Sequence, residues 1–299
     1  MTRVMAWFVV ALLIAGCATP VRAPNESGVP IRSALPEPED RIERQAHDAL
    51  ERWAEAVRQN GGASITFVGE LTSQIGTWED EVGENNKSAL DAGMVETSTT
   101  LSEERPGRRE VKWVDGTKVD VEVFSARQAL DELIGSATAD CAGCEPLHLT
   151  DANLATGLVE TSTGPAEVPT WVYAVRDSAV RITRVAVDAS VTVDPPPWDA
   201  DDPPEGISID LAIGEPGSKE LQVQFLGANE SCGLEYDAEA VESQLAIVVI
   251  VVASEGPDGA QPCTADAQLV TANVTLDGKL GERVVLEVRQ GLPVPVHVP

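Results

Sequence analysis

The sequence predicts an α+β, β-rich chain: antiparallel sheets, one N-terminal amphipathic helix and a small C-terminal all-β, sandwich-like domain. Three observations carry this. Apolar residues recur at intervals of three and four most clearly between Ile42 and Val57, whereas from Thr117 onward they mostly alternate. The chain is 43% hydrophobic but only 4% aromatic, so its core must be built from Val, Leu, Ile and Ala. Turn dipeptides then punctuate short apolar runs, as they do between strands.

Taken in order, Ile42, Ala46, Ala49, Leu50, Trp53 and Val57 lie on one helical face, with Asp40 placed to cap the start and Gly61-Gly62 to end the run. Ile65 to Leu71 reads as an extended segment. Trp113-Val114 and Thr117 to Phe124 flank Asp115-Gly116, a hairpin signature because Asp-Gly accepts the positive φ angles of a tight turn. Val119, Val121 and Val123 share one face of the second arm. Ser125 with Gln128 forms a capping-box pattern, and Ala126, Leu130, Leu133 and Ile134 give a second helix closed by Gly135. Strands follow at Leu147 to Leu149, Leu158 to Thr161, Trp171 to Val175 and Val180 to Val187. Beyond residue 206, Leu221, Val223 and Phe225 alternate with glutamines. Leu245 to Ala253 is almost wholly apolar, and nine residues suit a buried central strand but not a membrane span. Val270, Ala272, Val274 and Leu276 alternate again, and Asp277-Gly278 turns the chain into Val284 to Val288. Tyr236 to Glu242 fits a strand or a helical turn equally.

The segments divide into a leader over residues 1–16, a Pro-rich tether over 17–39, an α+β domain over 40–193, an acidic Pro-rich linker over 194–206 and a β domain over 207–299. Gly93 to Thr99 is echoed by Gly157 to Thr163, each ahead of a Trp-Val pair, but the unequal spacings do not support a strict repeat.

Charge narrows the partners. The formal net charge is −28, a sign that repels phosphate backbones, so no nucleic-acid partner is expected. Anionic lipid surfaces are repelled likewise, so basic residues are not expected to hold the chain at a membrane. Abundant carboxylate reads first as a solvated surface. Asp199, Asp201, Asp202 and Glu205 offer hard oxygens to calcium, but their spacing matches no EF-hand loop and the neighbouring prolines stiffen the segment. No cofactor and no metal site is expected.

The N-terminus carries an address. Arg3 precedes an apolar run from Val4 to Ile14, too short to span a bilayer, and Leu13-Ile14-Ala15-Gly16-Cys17 closes it. This resembles the lipobox of bacterial lipoproteins, which implies acylation of Cys17, with palmitate among the acyl chains, after removal of residues 1–16. The expected location is the extracytoplasmic face of the cell membrane. One acyl chain anchors only marginally, and the several chains of that family meet the need for a second attachment.

With Cys17 given to lipid, Cys141, Cys144, Cys232 and Cys263 remain, an even number for an oxidising compartment. Three pairings are open; proximity favours Cys141–Cys144, worth about 2 kcal/mol by loop entropy, and Cys232–Cys263, worth nearly ~4 kcal/mol. Cys141-Ala142-Gly143-Cys144 is also the motif of thiol–disulfide oxidoreductases, in which a helix N-terminus stabilises the thiolate. Here Pro146 cuts any helix short, and Asp140 and Glu145 disfavour a thiolate. Cys141, Cys144 and His148 supply three zinc ligands but lack a fourth. His47 sits beside the apolar face of the first helix, and His297 falls at the C-terminal end, where fraying is expected. No catalytic residue is assigned. Trp53, Trp78, Trp113, Trp171 and Trp198 are expected mainly as core anchors.

Cys141-Ala-Gly-Cys144-Glu-Pro146-Leu147, with Thr150 and Ala152, and Gly164-Pro165-Ala166-Glu-Val168-Pro169-Thr-Trp171 resemble segments of uncharacterised exported lipoproteins of actinobacteria. Cys232-Gly233 with Tyr236, Ala240 to Ser243, and Gly281 to Leu286 resemble the same group's C-terminal region. The resemblance implies export and the two disulfides, and no reaction, substrate or cofactor. The functional expectation is an anchored, non-catalytic binding or envelope-structural module, with membrane lipid, an envelope protein or a small ligand as partner. The alternative is an extracytoplasmic oxidoreductase using Cys141 and Cys144.

Overall fold

Two sheet assemblies share the chain, and the first helix packs against the second of them. The computed structural model describes residues 38–61, 65–78, 80–137, 139–188, 190–197, 201–257, 259 and 266–299. The helices are α1 (Pro38–Gln59), α2 (Asp80–Asp91) and α3 (Ala126–Gly135). The strands of the first assembly are β1 (Thr72–Ile75), β2 (Val95–Thr97), β3 (Arg109–Trp113), β4 (Lys118–Val121), β5 (Leu147–Thr161), β6 (Gly164–Val175) and β7 (Arg181–Val185). The second comprises β8 (Leu211–Ile213), β9 (Glu220–Ala228), β10 (Leu234–Glu242), β11 (Ala246–Glu255), β12 (Ala267–Thr275), β13 (Val284–Glu287) and β14 (Val296–His297). The chain is β-rich α+β with predominantly antiparallel sheets, as its patterning predicts.

The seven-stranded sheet is organised by the long β5–β6 hairpin, which merges segments that read separately in the sequence. β6 has β5 along one edge and two partners along the other: β3 at its start, through Lys112↔Glu167 and Trp113↔Ala166, and β7 at its end, from Thr170↔Val185 to Ala174↔Arg181. Pro169 lies where the partners change. Its carbonyl accepts from Ala186, and its missing N–H falls in the gap between β3 and β7, where it interrupts no ladder. One face of the sheet packs on α3 through Ala126, Ala129, Leu130 and Leu133. The capping box at Ser125 is formed, with the Ser125 hydroxyl accepting from the Gln128 N–H at 3.1 Å. Trp171 Nε1 donates to the Phe124 carbonyl at 2.9 Å, and the Tyr173 hydroxyl to that of Ala126 at 2.7 Å, pinning the helix start to β6.

Three local expectations are corrected. Residues 65–71 form no ladder, because Ile65 bridges Ser190, Phe67 bridges Thr161 and the Leu71 carbonyl meets Val185, three different neighbours in one short run. The β3–β4 turn places a positive φ only at Gly116, at 91°; Asp115 instead accepts from the Thr117 N–H and hydroxyl through its carboxylate. Helix α1 begins at Pro38, so Asp40 is inside the helix and not at its cap. The echoed segments also diverge. Val95 to Thr97 pairs in parallel with β5, whereas Leu158 to Thr161 is itself the end of β5, pairing antiparallel with β6.

Helix α2 has no counterpart in the sequence reading. Gly83, Asn85 and Asn86 are weak helix formers, and tertiary contacts support the segment: Ala89 is buried in the α3 core, and the Asn85 side chain both donates to the Glu145 carbonyl and accepts from its N–H, each at 3.0 Å.

In the second assembly, β10–β11–β13 packs over β12–β9–β8–β14 as a sandwich. Leu221, Val223 and Phe225 of β9 meet Ile247, Val249 and Val251 of β11 in its core. Tyr236 to Glu242 is strand, paired with β11 along its whole length. The opposite face of β11, through Ala246, Val248 and Ile250, receives Ile42, Ala46, Ala49, Leu50 and Trp53 of α1. Thus β11 is buried on both faces over residues 246–251, and only Val252 onward is exposed. Residues 37–299 form one compact unit. His297 does not fray: it lies in β14, which pairs with β8, while the Val296 N–H donates to Ser162 at the β5–β6 tip.

A half-buried pair closes the β12–β13 connection. Glu242 at the end of β10 accepts from Arg283 at 2.5 Å and from the N–H groups of Asp277 and Gly278. Burial, the largest effect, raises the Glu242 pKa, but Arg283 and the two N–H donors together outweigh it and hold the carboxyl below its ordinary value.

Trp53 is 2% exposed in the α1–β11 interface, so Trp53→Ala is expected to lower stability by about 3–5 kcal/mol in denaturant melts. Because the Glu242 pKa is depressed on folding, its contribution is present above the unfolded-state value near about 4.3 and is lost as the pH falls through the folded one. Glu242→Gln should therefore lower the Tm at pH 7, with the gap to wild type closing in thermal melts taken below that value.

Candidate functional site

The polar face of α1 carries Arg41, Arg44, Gln45, Asp48 and Arg52, spaced at three and four and therefore aligned along one side of the helix. Against this stripe lie Pro196, Pro197, Asp202, Pro203 and Pro204 of the acidic Pro-rich segment, together with Arg289 and Gln290 after β13. They enclose a groove of about 310 Å3. Arg41 fixes one wall, donating through Nε to Glu205 and through Nη1 to Asp202, both at 2.6 Å. These carboxylates raise the Arg41 pKa. Gln45 spans the same wall, donating to the carbonyls of Val288 at 2.8 Å and Glu205 at 3.2 Å and accepting from the Glu205 N–H.

The floor is set by the turn after β13. Glu287, 6% exposed, accepts from the N–H groups of Arg289 at 2.9 Å and Gln290 at 2.6 Å, so its buried charge is met by backbone donors. Gly291 follows with φ +71°, and a Cβ there would lie 2.8 Å from Ala49 Cβ and from Arg52 Nη2. Only glycine lets the turn approach α1 this closely. Arg52 Nη2 then donates to the Gln290 carbonyl at 3.3 Å, while its Nε is buried without an acceptor. The sequence reading did not single out this arginine stripe; its helical spacing is the signal that could have found it, and only the fold brings the proline segment and residues 289–290 onto it.

The expected cysteine sites fall elsewhere. Cys141 and Cys144 are disulfide-bonded, with Cα atoms 5.7 Å apart, in the loop between α3 and β5. No helix begins there; the chain turns at Ala142-Gly143 and enters β5 at Leu147. A helix-dipole effect on a thiolate is therefore absent from this loop, and zinc ligation by Cys141, Cys144 and His148 is incompatible with the disulfide. Cys232, 4% exposed, is disulfide-bonded as well. Cys263 and Cys17 lie outside the described residues, as do Trp198 and Asp199.

The remaining candidates are dispersed. His148 stands 3.6 Å from Glu96 and His297 3.5 Å from Glu160, on separate strands, and His47 is exposed on α1. Asp202 and Glu205 both face Arg41, which competes with any cation for their oxygens. No cluster of metal-ligating side chains occurs among the described residues. Trp53 and Trp171 are buried, and Trp78 and Trp113 pack partly buried against the two cores of the first assembly. A second groove, of about 370 Å3, is lined by Arg109, Glu110, Lys112 and Glu167, whose charges offset one another. A third groove runs along Thr97 to Leu101, where Ser98 and Thr99 donate their hydroxyls to β5 carbonyls. The outer face of β9 and β12 is uncharged at its centre, where the register pairs Gln222 with Asn273, Gln224 with Thr271 and Leu226 with Leu269. No described helix is long and apolar enough to cross a membrane.

Comparison with protein-family models, with characterised proteins and with solved structures finds nothing that matches this chain.

The Cys141–Cys144 bridge closes a very short loop, and loop entropy assigns it about 2 kcal/mol. Replacing both cysteines by serine should cost no more than that in urea unfolding and should leave the far-UV circular dichroism of the β assemblies unchanged.

Proposed function

We propose that the protein is a membrane-anchored, extracytoplasmic lipoprotein acting as a non-catalytic binding or envelope-structural module. The observation that carries the reading is the N-terminal pattern: Arg3, the apolar run Val4 to Ile14, then Ala15-Gly16-Cys17. Acylated Cys17 would place the folded part beyond the bilayer at the end of the tether. Two features support an oxidising location and a binding role. Cys141, Cys144 and Cys232 are all disulfide-bonded, and disulfides persist outside the cytoplasm. The histidines are scattered, whereas the α1 groove gathers charged side chains around a defined cavity.

The oxidoreductase alternative is disfavoured by the turn-to-strand setting of Cys141 and Cys144, which lacks the helix N-terminus that activates such thiols. Its discriminating measurement is the reduction potential of this pair. A structural bridge is expected below about −300 mV, and a value near the thioredoxin range would reinstate the enzyme.

The anchor is tested by expressing the full chain in a bacterium with labelled palmitate. Wild type should incorporate label and sediment with membranes, and Cys17→Ser should lose both properties while Cys141→Ser/Cys144→Ser retains them. An unlabelled wild-type chain released to the soluble fraction would overturn the reading.

A further inference from the structure

We infer that the groove between α1 and the Pro-rich segment is a binding site for a phosphate-type oxyanion. The first observation is compositional. The lining holds four arginines, Arg41, Arg44, Arg52 and Arg289, against two carboxylates, Asp48 and Asp202. The chain as a whole has 21 basic residues against 49 acidic ones. The local ratio therefore reverses the global one, so an anion meets less repulsion here than the net charge of the chain implies.

The second observation separates the arginines by role. Arg41 is committed to Asp202 and Glu205 and shapes the wall. Arg44 is exposed, and neither a carboxylate nor a carbonyl holds it among the described residues. Arg52 is fixed through Nη2 to Gln290, yet its buried Nε has no acceptor. An oxyanion in the groove supplies the counter-charge for Arg44 and for the guanidinium of Arg52, which Gln290 holds in the lining.

The third observation selects the ligand. Arg44 and Arg52 are eight residues apart, which is about 12 Å along the helix axis. Both side chains line the same groove. A phosphate group presents oxygens on several sides and accepts from both guanidinium groups, whereas a carboxylate offers two oxygens in one plane. The proline wall donates no N–H and holds its shape.

This deepens the binding-module reading and rests on it only for the source of the phosphate. If Cys17 is anchored, α1 follows the tether directly and anionic lipid headgroups come within reach. The same groove would otherwise take a soluble phosphate compound.

The test uses the full-length protein in detergent, titrated with inorganic phosphate at constant ionic strength set with chloride. Wild type should show a saturable rise in Tm. Arg44→Glu and Arg52→Lys should each weaken the apparent affinity about tenfold or more, and Lys87→Glu, an equal charge change on α2, should leave it unaltered. Reconstitution into phosphatidylcholine discs with and without phosphatidylglycerol then assigns the source. Loss of the phosphate response only with phosphatidylglycerol identifies a lipid headgroup, and an equal response in both identifies a soluble phosphate. A wild-type Tm indifferent to phosphate, or an equal response from wild type and Arg44→Glu, refutes the site. Failure to associate with the discs would count against the anchor alone, because the detergent titration does not depend on it.

Discussion

Six consecutive side chains, Ala246 to Val251, are buried on both faces of a single strand, and most of the C-terminal architecture follows from satisfying them. Ile247, Val249 and Val251 enter the sandwich core; Ala246, Val248 and Ile250 require a second apolar layer on the other side. Each fully buried Val or Ile contributes about 1.5–3 kcal/mol relative to exposure, so an uncovered face would be costly. Helix α1 is the layer that covers it. The strand thereby joins α1 to the second assembly, although the whole seven-stranded sheet, from Thr72 to Val185, lies between them in the sequence.

How far the sequence reveals this depends on where the controlling forces lie. Periodicity exposed α1, because its apolar side chains repeat on one face, and alternation exposed β9, β12 and the second arm of the β3–β4 hairpin. Ser125 and Gln128 announced α3 because a capping box is a local motif. The segments that escaped notice are held by distant partners. Helix α2 contains Gly83, Asn85 and Asn86 and owes its form to Ala89 in the core and to the Asn85–Glu145 clasp. β8 and β14 are two or three residues long and exist only through pairing with each other and with β9. Residues 65–71 look like a strand because they are apolar, but each bridging residue answers to a different neighbour.

The groove was only half legible for the same reason. Arg41, Arg44 and Arg52 fall along one side of α1 once the helix is drawn, and the acidic prolines look like a solvated linker when read alone. Arg41 changes their meaning: by engaging Asp202 and Glu205 it turns a stretch with the composition of a spacer into a wall. Glu287 has a comparable effect on the opposite side, where its carboxylate gathers the N–H groups of the following turn and Gly291 admits that turn against Ala49. Neither role can be inferred from the residue type, because the partners are separated by 161 and 164 residues in one case and belong to a tight loop in the other.

The position of α1 also has a mechanical corollary. Tension applied to the polypeptide ahead of Pro38 enters the fold at the first turn of this helix, where Arg41 is clamped to the proline segment. To peel the helix away, a load would have to break that clamp first and then strip Ile42, Ala46, Ala49 and Trp53 from β11 in succession. The load thus meets α1 and its contacts with β11 before any strand of the seven-stranded sheet.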